Sequence, residues 1–168
     1  MSSSCLKVTQ LQPDNFIFPG RGNSVRFLNA GESHSDDALG FQTLLTRLVT
    51  IRRSCLEHSN AWSLRARHIG VYNDEALRGI IELRKAPGAD SAEASLFVEE
   101  QWRGRGLGWA LLKAATESLS EENARELRLI FSRQNWAMRQ LARKANATFD
   151  LIFGDLCAHV PVGPHLRV

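Results

Sequence analysis

The stretch of residues 98–109 carries the clearest chemistry in this sequence, because three glycines alternate with other residues between a predicted strand and a predicted helix. Glycines let a backbone turn tightly and let an anion approach its N–H groups. The helix adds a partial positive charge at its N-terminus, and two arginines in the loop add full charges. This pattern is typical of a pyrophosphate site. The residues concerned are Arg103, Gly104, Arg105, Gly106, Leu107 and Gly108.

Two other interpretations of this loop compete with a pyrophosphate site. On composition alone, a plain strand–helix turn that uses glycines for sharpness stays open. A dinucleotide-binding fingerprint is disfavoured, because the spacing is G-x-G-x-G rather than G-x-G-x-x-G. That fingerprint also needs an acidic residue at the end of the next strand, which here ends in Phe131-Ser132-Arg133.

The elements that position this loop follow from the hydrophobic periodicity. Their order, β-α-β-β-β-α-β-α-β-β, predicts a mixed α/β fold with helices on both faces of one sheet. Residues 1–23 are polar and turn-rich and are expected to form an N-terminal arm, with one domain over residues 24–168. The predicted strands are 24–28, 62–72, 77–83, 91–98, 127–131, 149–153 and 156–162, and the helices are 37–58, one from 107 and one from 135.

Composition excludes several classes of protein. With 168 residues, 43% of them hydrophobic and 23% charged, the chain is neither disordered, collagen-like nor a disulfide-rich miniprotein. A net charge of +3 gives no argument for nucleic acid as a partner. The three cysteines lack metal-site spacing, which predicts neither zinc nor a disulfide framework. Without a signal-like start or a long apolar run, a cytoplasmic protein with no membrane partner is expected.

The loop resembles a specific family motif. Residues 103–108 match the R/Q-x-x-G-x-G/A pyrophosphate loop of the GNAT superfamily of N-acetyltransferases. Val98 stands five residues before Arg103, and Trp102 takes the aromatic place before that arginine, as is usual in the family. Asn135 looks like the asparagine at the start of the family's second helix. The order of elements also agrees over most of the chain.

This resemblance implies the GNAT fold, with acetyl-coenzyme A as donor and no metal. Strands four and five would splay apart, and the thioester arm would lie between them. The backbone of Phe97 and Val98 would pair with the pantetheine amides or the thioester carbonyl. The N–H groups of residues 103–108 would hold the pyrophosphate. Asn135 would contact the arm near the sulfur, a role compatible with an ordinary helix N-cap.

Glu93 is the predicted general base. It lies on an alternating strand, and Ala92-Glu93-Ala94 resembles the A-E-V/F-A run of the Pat-type protein lysine acetyltransferases, in which a glutamate acts as base. Glu82 on the preceding strand is the second candidate. For Glu93 the alternative is an exposed strand residue or a salt bridge to an arginine. A general acid is missing, because the tyrosine that many members carry in the second helix is absent and Tyr72 is the only one.

The predicted function is therefore transfer of an acetyl group from acetyl-coenzyme A to a primary amine, on a small molecule or on a protein lysine. Two alternatives stay open. One is a protein lysine acetyltransferase specifically, and the other is an inactive acyl-coenzyme A-binding sensor or partner domain. A homodimer also stays open. The segments expected to form the acceptor pocket are the first helix and the last two strands. Their sequence patterns are the least regular, so the sequence does not predict the acceptor.

Overall fold

The structure is a computed structural model that describes residues 23–28, 66–74 and 76–163, together with Thr43 and Thr46. The predicted arm lies outside these residues, except that Asn23 already belongs to the first strand. The predicted helix 37–58 also lies outside them, except that Thr43 and Thr46 are both helical.

Seven strands and two helices make up the described fold. Each predicted strand is present, and the fourth coincides with its prediction at both ends. Between the fourth strand and the first described helix lies a short 3-10 turn, Glu100–Trp102. In chain order the elements are β1 (Asn23–Leu28), β2 (Arg67–Asn73), β3 (Ala76–Lys85), β4 (Ser91–Val98), α1 (Leu107–Glu121), β5 (Glu126–Phe131), α2 (Trp136–Lys144), β6 (Thr148–Ile152) and β7 (Asp155–Pro161).

The strands form one sheet in the order β1-β2-β3-β4-β5-β7-β6. β4 and β5 run parallel, and every other neighbouring pair is antiparallel. A parallel pair needs a crossover connection, and α1 supplies it. The predicted mixed α/β class, in a single domain, is confirmed.

The core lies between the sheet and the two described helices. Leu111, Leu112 and Leu119 of α1 are fully buried against the sheet, since leucine recurs on one stripe of that helix. Ala142 of α2 and Ala145, the residue that caps its C-terminus, enter the same apolar cluster. The small alanines let α2 approach closely, and both described helices therefore share one core. The helix predicted for the opposite face is residues 37–58, which lie outside the described residues except for Thr43 and Thr46.

No helix among the described residues is long and apolar enough to cross a membrane. α1 has 15 residues and α2 has nine.

Candidate active site

A gap opens between the two parallel strands at the centre of the sheet. β4 and β5 are paired from Ser91–Glu126 to Ala94–Leu129 and no further. β4 nevertheless continues to Val98, and β5 continues to Phe131. A cavity of about 530 Å³ occupies the region where they part. Its size is in the usual range for small-molecule sites, and the separation agrees with the splay that the family resemblance implies.

The direction of the β4 backbone decides which polar groups face this gap. The Glu99 N–H donates to the Arg78 carbonyl at 2.9 Å, toward β3. Because the groups of an antiparallel strand alternate between its two edges, Phe97 also turns its backbone toward β3. Leu96 and Val98 therefore face the gap. Of the pair expected to bind the cofactor arm, Val98 turns its backbone toward the gap together with Leu96, whereas the backbone of Phe97 faces β3; all three residues line the cavity.

The glycine loop forms the next wall of the cavity. Gly104 and Gly106 have φ angles of +72° and +83°, a left-handed conformation that side chains other than glycine rarely adopt. Gly106 caps α1, and the first intrahelical bond joins the Ala110 N–H to the Gly106 carbonyl at 3.0 Å. The N–H groups of residues 107–109 therefore have no partner within the helix. They are donors suited to an anion.

Most of the residues predicted to bind the cofactor lie together. Two do not line the cavity with their side chains. Leu107 is buried in the core with 1% exposure, and the exposed Arg105 lies over the Trp102 ring, 4.7 Å from its centroid. Leu107 can therefore offer a ligand only its backbone groups, and the Arg105 side chain lies outside the cavity lining. The predicted residues that do line it are Phe97, Val98, Arg103, Gly104, Gly106, Gly108 and Asn135.

Asn135 begins α2 as its N-cap. Its side chain accepts a hydrogen bond from the Met138 N–H at 3.1 Å. Arg103 has a comparable structural contact, since its Nε donates to the Val98 carbonyl at 3.1 Å. Both side chains also line the cavity. Each is thus held in place by the protein itself at the edge of the site.

Glu93 lies at the closed end of the gap, one residue before the last paired residue of β4. Its carboxylate accepts a hydrogen bond from Nη2 of Arg128, a residue of β5, at 3.0 Å. The side chain is 23% exposed and lines the cavity. A salt bridge to an arginine, the alternative considered for Glu93, is therefore present. It does not withdraw the carboxylate from the cavity.

Glu82 also lines the cavity but is held more firmly. Its side chain is 7% exposed and accepts hydrogen bonds from Arg84 Nε at 2.6 Å and from His68 Nε2 at 3.2 Å. Burial alone raises the pKa of Glu82, but the hydrogen bonds from His68 and Arg84 and the charge of Arg84 outweigh it and lower the pKa to about 2. A carboxylate with so low a pKa is a weak base.

Several residues that the sequence did not predict also reach the site. Arg84 and Leu96 line the cavity, and Arg128 contacts Glu93. The alternating pattern of β4 predicted its two faces, but it carries no signal for the strand register that brings the arginines beside Glu93. Tyr72 is buried in β2 and does not line the cavity, so it does not replace the missing helix tyrosine.

Comparison with known families agrees with this geometry. The model of the acetyltransferase (GNAT) family matches residues 41–146 of the chain. A search of curated protein sequences finds no match.

Among solved structures, the similar folds include those of acetyltransferases. PaiA N-acetyltransferase from Thermoplasma acidophilum, in complex with coenzyme A, is 22% identical, with a TM-score of 0.55, and the match covers 70% of this chain and 69% of that one. The GNAT domain of S. lividans PAT is 16% identical, with a TM-score of 0.63 and coverage of 83% and 90%. YncA from Salmonella typhimurium, with acetyl-CoA, is 17% identical, with a TM-score of 0.61 and coverage of 87% and 97%. The TM-scores show a shared fold, and the predicted GNAT fold is confirmed.

Proposed function

The chain belongs to the GNAT family of acetyltransferases, and from this premise we propose that it transfers an acetyl group from acetyl-coenzyme A to a primary amine. The observation that carries the proposal is one continuous cavity. It joins the glycine loop at the N-terminus of α1, the gap between β4 and β5, and the carboxylate of Glu93.

The residues present fit the donor. The N–H groups at the start of α1 suit a pyrophosphate, because they point donors and a partial positive charge at one place. The backbone edge at Leu96 and Val98, with which β5 does not pair, suits the amides of the pantetheine arm, which can pair with it as a strand does. Phe97, Ile130 and Phe131 give this part of the cavity apolar walls. The coenzyme A and acetyl-CoA in the PaiA and YncA structures support this assignment.

Glu93 would act as the general base, directly or through a water molecule. An ammonium must lose a proton before its nitrogen can attack. Among the described residues two glutamates line the cavity, and the pKa of Glu82 is lowered to about 2, which leaves Glu93 as the proposed base. The nitrogen then bonds to the thioester carbon and the carbon–sulfur bond breaks. The second proton lost by the nitrogen balances the one taken up by the thiolate. The Val98 N–H, which faces the gap, would stabilise the developing oxyanion.

The acceptor is proposed only as a primary amine. The likeness to the S. lividans PAT domain rests on 16% identity and therefore does not select a protein lysine over a small amine. Within the described residues, the cavity wall near Glu93 carries charges of both signs, from Glu82, Arg84 and Glu93. A cytoplasmic location and a homodimer stay predictions.

The experiment is a pair of measurements on the same protein. Acetyl-coenzyme A at a hundred times its Kd should stabilise the native state by about 2.7 kcal/mol, which raises the Tm by several degrees. Thiol release across a panel of small amines and lysine peptides should then identify an acceptor. No Tm shift at millimolar ligand would contradict the proposal. Saturable binding without turnover on any amine would replace it with a non-catalytic acyl-coenzyme A-binding domain.

A further inference from the structure

Lys144, the last residue of α2, lies over the first turn of α1. Its ammonium Nζ is 4.4 Å from the centroid of the Trp109 ring, and both side chains line the cavity. The two helices are close here, since a Cβ built at Gly108 would lie 3.6 Å from Leu141 Cδ2. The face of an indole attracts a cation. The flexible lysine is thus held at a definite place beside the glycine loop.

The charge of Lys144 is not neutralised within the described part of the chain, where no carboxylate lies within ion-pair distance of its ammonium. The nearby arginines are placed differently. Arg103 binds the Val98 carbonyl on the gap side of the loop, and Arg105 lies over Trp102, away from the cavity. Lys144 is therefore an available cation at the α2 side of the loop.

Coenzyme A carries a second negatively charged group in addition to its pyrophosphate. A phosphomonoester on its ribose 3′-oxygen adds about −1.5 to −2 at neutral pH. The N–H groups at the start of α1 can serve the pyrophosphate, but they give no full positive charge for a further phosphate. We propose that Lys144, positioned by Trp109, binds the 3′-phosphate and makes the protein prefer coenzyme A over 3′-dephospho-coenzyme A. This inference rests on the proposed function.

The test measures Kd by calorimetry for coenzyme A and for 3′-dephospho-coenzyme A, in the absence of acceptor. The full chain should bind coenzyme A about tenfold more tightly, as expected for a charge-assisted hydrogen bond. K144M keeps the apolar stem on the indole and removes the charge. It should weaken binding of coenzyme A to the level of the dephospho form, whose Kd stays unchanged. K144R should keep most of the preference.

The matched control is K113M, which removes a lysine of α1 that pairs with Glu117 and does not line the cavity. It should keep the tenfold preference. Equal Kd values for the two ligands in the unmodified chain would overturn this inference and leave the proposed function standing. Equal weakening of both ligands by K144M would also overturn it, because Lys144 would then act on a part that the two ligands share. Failure of both ligands to bind the unmodified chain would remove the proposed function, and this inference with it.

Discussion

Glu93 and Arg128 form a 3.0 Å ion pair between β4 and β5, one residue before the two strands part. The register places the two residues directly opposite each other. Because the pair lies at the closed end of the gap, the guanidinium holds the carboxylate at the cavity wall. A substrate ammonium that approaches Glu93 would replace the Arg128 guanidinium as the cationic partner of the carboxylate.

Replacing Glu93 with glutamine should lower kcat by about 10²–10⁴-fold at pH 7, because the amide keeps the shape of the side chain but cannot accept the proton. The loss should shrink at high pH, where the amine arrives deprotonated. Steady-state kinetics across pH measures both effects. The matched control is Glu99→Gln, since Glu99 also pairs with an arginine, Arg78 at 3.3 Å, outside the cavity. A loss below threefold for Glu93→Gln would show that Glu93 is not the base.

Glu82 should stabilise the fold rather than accept the proton. Its pKa falls from 4.5 to about 2 on folding, so its contribution is complete above about pH 4.5 and is lost as the pH falls toward 2. The contribution at pH 7 is on the order of 3 kcal/mol. Urea unfolding between pH 7 and pH 2.5 measures it. Glu82→Gln should lower stability at pH 7 and flatten this part of the profile. An unchanged profile would contradict the assignment.

Gly106→Ala should lose both stability and ligand binding. The left-handed φ at this position costs about 1–2 kcal/mol for a residue with a side chain, and Gly106 itself lines the cavity at the start of α1. Gly88→Ala is the control, since Gly88 has a similar φ of +75° and open space around it, away from the cavity. Thermal unfolding with and without acetyl-coenzyme A should show a lowered Tm in both variants and a lost ligand shift in Gly106→Ala alone. A normal ligand shift in Gly106→Ala would mean that the loop does not hold the cofactor.

Asn135 should have two separable roles. Asn135→Ala should lower stability by about 1 kcal/mol through loss of the N-cap to Met138. Asn135→Ser keeps a capping oxygen and should preserve stability. If Asn135 also contacts the cofactor arm, both variants should weaken acetyl-coenzyme A binding several-fold, as calorimetry would measure. Normal affinity in both variants would restrict Asn135 to capping.

Local sequence signals predicted much of this site. β4 was predicted as residues 91–98 and runs from Ser91 to Val98, because alternation of small, polar and apolar side chains is a property of neighbouring residues. The same holds for the glycines that need a left-handed backbone and for Asn135 as a helix cap. The loop motif and the order of the elements together indicated the family. Both can be read from local sequence, because the motif and the periodicity of each element involve residues that are close in the chain.

Only the tertiary structure decided how these pieces face one another. The β3–β4 register turned the backbone of Leu96, and not that of Phe97, toward the gap. Distant residues acquired partners in the same way, and Glu82 received its low pKa from His68 and Arg84. Lys144 came to lie over Trp109 because α2 packs on the first turn of α1. Strand register and helix packing are set by burial over the whole sheet, and the electrostatics of each group follows from neighbours that local sequence does not specify.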